Sequence, residues 1–60
     1  MLKIKIFDEE HEKDLEDEVN LFLETIEPSD LKQIQYQVAV APEPESGTIF
    51  CFSAMILYET

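Results

Sequence analysis

Leu2, Ile4 and Ile6 alternate with Lys3 and Lys5, the two-residue period of a half-buried strand, which predicts a first strand over residues 2–7. Leu15, Val19, Phe22 and Ile26 then recur at helical spacing, with Leu23 at the margin of their stripe and Leu21 well off it. Asp8 is placed to cap this helix, Glu9 and Glu10 favour its first turn, and Pro28 ends it by restricting Glu27. After Pro28-Ser29-Asp30, Ile34, Tyr36, Val38 and Val40 alternate with Gln33, Gln35, Gln37 and Ala39, giving a second strand with one apolar and one polar face. The turn-rich Pro42–Gly47 segment returns the chain as a hairpin into Thr48–Tyr58, which is apolar on both faces.

This order, β-α-β-β, predicts an α+β fold: one domain spanning residues 1–60, with a three-stranded sheet and one helix on one face. Placing the last strand between the other two, in the order 1-3-2, puts the most apolar strand at the centre, where two-sided burial is easiest. The helix is then expected over Leu2, Ile4, Ile6, Ile34, Tyr36, Val38 and Val40, joined by the larger row Phe50, Phe52, Ala54, Ile56 and Tyr58. The opposite, open face would show Lys3, Lys5, Phe7, Gln33, Gln35, Gln37, Ile49, Cys51, Ser53, Met55 and Leu57. A one-residue change in hairpin register would exchange the two rows of the last strand. Either register leaves an apolar stripe without cover, and the expectation is a homo-oligomer assembled through that face.

Composition reinforces this picture. A chain of 60 residues buries only about 60% of its unfolded surface, so a single core is marginal without reinforcement. Cys51 is the only cysteine, which excludes an intrachain disulfide and suits a reduced, cytoplasmic protein. The first seven residues are too short and too interrupted by lysine for a signal peptide, and no apolar run approaches membrane-spanning length. Fourteen acidic residues against four basic ones give a formal charge of −10, which argues against nucleic acid and anionic lipid as partners.

Little in the sequence carries chemistry. His11 is the only histidine, and although Asp8, Glu10, Glu12 and Asp14 surround it, a zinc site wants three or four ligands converging on one point. A helix-start histidine supported by carboxylates is the simpler reading. Cys51, between Phe50 and Phe52, reads as packing rather than as a nucleophile, and Tyr36 and Tyr58 read as structural tyrosines with one wet end. No catalytic, metal or cofactor residues are expected. The acidic run is first a solvated helix face, helped by a Glu9–Lys13 pair. Glu16 and Asp17, with Leu21 as an anchor, form the candidate surface for a basic protein partner.

Three segments, Phe7–Glu16, Gln35–Val40 and Phe50–Tyr58, resemble a family of short acidic sporulation-associated proteins of Gram-positive bacteria, the mother-cell-expressed Cse-type proteins. The likeness covers nearly the whole chain and is weaker over 24–30 and 41–48. It implies a sporulation-related context and brings no catalytic residues. The combined expectation is a non-enzymatic interaction or regulatory component. The alternative is an oligomeric binder of a planar, flavin-like molecule, stacked against Phe and Tyr on the open face with Gln hydrogen bonds.

Overall fold

The computed structural model describes residues 1–45 and 47–60. Its elements are β1 (Leu2–Glu9), α1 (Glu12–Leu23), a short 3-10 turn (Pro28–Asp30), β2 (Leu31–Glu43) and β3 (Gly47–Glu59). The sheet has the order β1-β3-β2 with β3 antiparallel to both neighbours, as its apolar sequence predicts. Lys32 forms a bulge where Leu31 pairs Tyr58 and Gln33 pairs Leu57. The Pro42–Gly47 connection is shorter than expected, because Pro42 pairs Thr48 and Glu43 pairs Gly47. Of that expected loop, Ser46 lies outside the described residues. Gly47 has φ +89 with nothing within 4 Å of a Cβ built on it, so its need for glycine is a backbone one. Gly47→Ala is therefore expected to lose about 1 kcal/mol in urea melts; an unchanged midpoint would contradict the positive φ.

The start of α1 departs from expectation. β1 continues through Asp8 and Glu9, held there by Ser53, whose hydroxyl donates to Asp8 Oδ1 at 2.8 Å. Asp8 is thus a strand residue. The helix cap is His11, in extended backbone and without a side-chain capping bond, and the Leu15 N–H donates to the His11 carbonyl at 3.2 Å. The helix ends at Leu23, before Pro28 acts: the Thr25 N–H and hydroxyl both donate to the Phe22 carbonyl, at 2.9 and 2.6 Å. Lys13 pairs with Asp17 at 2.6 Å and with Glu16 at 3.8 Å, not with the expected Glu9.

The core is thin. Among the described residues only Leu15, Ala54 and Ile56 are buried, with Ile56 at 0% exposure. Phe22 anchors α1 by edge contacts to Phe7 and Tyr58, at ring-centroid distances of 5.9 and 5.0 Å. Because a helix is about 10 Å across and strands lie about 4.8 Å apart, one helix covers roughly two strands. Here it packs on β1 and β3. The Cα radius of gyration is 13.7 Å, against about 10 Å for a compact chain of this length. The excess comes from the hairpin: β3 pairs with β1 only from Phe52 to Glu59, so Gly47–Cys51 and its β2 partners project as a two-stranded ribbon.

Candidate functional site: an open sheet face

Register fixes which side chains share a face. Phe7 pairs Ala54, Lys5 pairs Ile56 and Lys3 pairs Tyr58, so these three β1 residues lie in the row beneath the helix, together with Ile34, Tyr36 and Val38 from β2. The open face holds Leu2, Ile4 and Ile6 instead. That reverses the expectation for β1, whose Lys3, Lys5 and Phe7 were assigned to the open side. The cause is local. Phe7 gains the Phe22 ring contact, and the lysines extend flexible stems from the helix-side row, Lys5 Nζ standing 5.7 Å from the Phe7 ring centroid. The Phe50, Phe52, Ala54, Ile56 and Tyr58 row does face the helix side, and Phe50 stacks on Phe52 at 6.2 Å.

On the open face, Ile4, Leu57 and Gln33 form one lane across the sheet, Ile6, Met55 and Gln35 the next, and Asp8, Ser53 and Gln37 a third. Ala39 with Cys51 and Ala41 with Ile49 continue the face along the ribbon. The face therefore has an apolar half on β1 and β3 and a glutamine half on β2. Leu2, Ile4 and Ile6 are all exposed, Ile6 at 65%. The eight candidates on β2 and β3, Gln33, Gln35, Gln37, Ile49, Cys51, Ser53, Met55 and Leu57, are brought together here. Leu2, Ile4 and Ile6 are the members missed by sequence reasoning. Their alternation with lysine revealed two rows, whereas only the length of β1 and the Phe7–Phe22 contact decide which row faces the helix.

The opposite side also has bare apolar surface. Between α1 and β2 lies a groove of ≈ 480 Å³, with Leu15, Val19, Ile34, Tyr36 and Ala54 among its lining and Glu12, Lys13 and Glu16 along the helix. Val38 and Val40 extend the same exposed row onto the ribbon. Leu21 is exposed at 66% beside a shallow depression that also includes Phe7, Glu18, Phe22 and Thr25. Glu16 and Asp17 are engaged by Lys13, which partly neutralises the acidic surface assigned to a basic partner.

Titratable groups give no sign of a metal centre: Asp8, Glu9, Glu10, His11 and Cys51 line one open depression, yet no three potential ligands converge among the described residues. The Cys51 Sγ lies 3.9 Å from Ser53 Oγ and the thiol is half-buried. Glu9 stands in a crowd of carboxyls. A hydrogen bond shared with the Glu18 carboxyl holds its pKa above the usual value, with desolvation and repulsion from Glu18, Asp14 and Glu10 adding to the rise. A carboxyl whose pKa is raised on folding favours the folded state at low pH, and that contribution is lost as pH rises through the folded value. Glu9→Gln should accordingly raise the melting temperature at pH 7, and the gain should vanish once acidification has protonated both carboxyls. A gain that persists at low pH would show that repulsion is not its source.

No helix among the described residues is long and apolar enough to cross a membrane. The family model described as sporulation protein Cse60 matches residues 1–60. The sporulation protein Cse60 of Bacillus subtilis (strain 168) is 52% identical over 58 residues, covering 97% of each chain. No solved structure matches.

Proposed function

The chain belongs to the Cse60 family of sporulation proteins, and in that context we propose that it is a non-enzymatic protein that assembles with itself through its open sheet face and acts as an interaction or regulatory component. The observation that carries this reading is the exposed Leu2, Ile4 and Ile6 row lying beside Met55 and Leu57. Each large side chain taken fully out of water contributes about 1.5–3 kcal/mol, a large sum beside the three residues buried among those described. Surface area supports it too. A folded chain of 7.0 kDa should expose about 4,000 Å² by the scaling for monomers, and this one exposes 4591 Å².

A second copy suits the face better than a small molecule, because the face is an open sheet surface rather than an enclosed cavity. Light scattering over a wide concentration range tests the reading. The expected mass is a multiple of the chain mass, while a monomer at every concentration would overturn assembly. An absorbance spectrum of undialysed protein tests the flavin-like alternative, and the expected spectrum has no band above the protein's own.

A further inference from the structure

The two outer edges of the sheet are unlike. β1 is a short edge of eight residues that carries Lys3, Lys5, Asp8 and Glu9, the charges with which a sheet discourages further pairing. β2 is an edge of thirteen residues. From Gln33 to Ala41 it has no charged residue and no proline. The facing strand is equally bare, since Gly47–Tyr58 contains no charged residue. Eight of the fourteen acids, Asp8, Glu9, Glu10, Glu12, Asp14, Glu16, Asp17 and Glu18, crowd the end of β1 and the helix instead.

We propose that β2 pairs antiparallel with β2 of a second copy, joining two sheets into one of six strands. The charge distribution selects the occupant. In a chain of net charge −10, any second copy is repelled except where neither surface carries acids. Gln33–Ala41 is such a surface, whereas a basic partner would be drawn to the helix. Charge also selects the direction. With the two-fold axis at Gln37, the middle of β2, Leu31 lies opposite the partner's Glu43, so the Lys32 end of each strand meets the Glu43 end of the other. A parallel arrangement would instead set like ends together.

Side chains agree with this register. Tyr36 falls opposite the partner's Val38 and Ile34 opposite the partner's Val40, all from the helix-side row that α1 leaves exposed. These are aromatic–branched and branched–branched pairs of the kind that stabilise antiparallel sheets. On the open face Gln35 meets the partner's Ala39, and Gln37 meets its own copy. Both helices then lie on one side of the six-stranded sheet. The ribbon, which as an isolated two-stranded element is marginal in water, gains a third strand along its β2 side.

This interface goes beyond the open-face contact and is separable from it. The test introduces single cysteines at each position from 34 to 40 in a Cys51→Ser background and oxidises them in the presence and absence of Ile4→Asp, which disables the open face. Edge pairing predicts disulfide dimers peaking at or next to Gln37 and falling away on either side, unchanged by Ile4→Asp, with the Ile4→Asp protein retaining twice the chain mass. Proline is the second probe. In an edge strand one of two adjacent N–H groups points outward, so of Gln35→Pro and Tyr36→Pro one leaves the β3 ladder intact. In the Ile4→Asp background that folded variant should be a monomer by light scattering. Cross-links with no peak along β2, or a monomeric Ile4→Asp protein, would overturn edge pairing while leaving open-face assembly standing; a wild-type monomer would overturn both.

Discussion

Ile56→Ala is expected to remove about half of this protein's folding stability. Ile56 has no exposed surface, and it sits on the central strand, paired with Lys5 on one side and Ile34 on the other. Removing a fully buried isoleucine to alanine costs about 2–5 kcal/mol, because lost transfer energy adds to the cavity left behind. The whole stability expected of 60 residues is roughly 3–9 kcal/mol, so at the middle of both ranges this one change removes about half of it. Few neighbours can collapse into the void, since among the described residues the other buried ones are Leu15 and Ala54. Circular dichroism with urea titration reads the effect, and Ile56→Val, at about 0.5–1.5 kcal/mol, provides the graded comparison. Equal midpoints for wild type and Ile56→Ala would mean that the core lies elsewhere.

Much of this arrangement is written in the alternation of side chains. The uncharged, two-sided apolar segment from Thr48 to Tyr58 requires a central position, and β3 takes it. Its larger row, with Phe50 and Phe52, faces the helix side as volume suggests. What alternation does not contain is phase relative to the next element. Lys3, Lys5 and Phe7 form a row with one apolar member, Leu2, Ile4 and Ile6 a row with three, and counting favours burying the second. The Phe7 ring reverses that count. It meets Phe22, which also touches Tyr58, so one aromatic cluster spans β1, α1 and β3. The length of β1 follows from a contact 45 residues away, between Ser53 and Asp8, and no local propensity could reveal it. The bare row on β2 is geometric in origin: a helix one strand too narrow for its sheet has to leave some apolar positions open.

These two surfaces make the proposed assembly the property to test, and Ile4→Asp addresses it most directly. Ile4 is exposed in the protomer, at 58%, so the substitution should leave the fold and its circular dichroism intact. In a stacked pair of open faces the new carboxylate would be buried against apolar side chains of a partner. An unpaired buried charge costs on the order of 3–5 kcal/mol, which raises the dissociation constant by about a hundredfold or more at 1.4 kcal/mol per tenfold. The solution mass should therefore fall by half at micromolar concentration. Lys3→Asp is the control for charge alone. It makes the chain more negative by two units, but from the helix-side row, so the open-face contact should survive it. If both variants dissociate alike, general repulsion governs assembly and the face does not. If Ile4→Asp keeps the wild-type mass, the exposed row of β1 lies outside every interface, and the apolar positions of this chain must be covered from the β2 side.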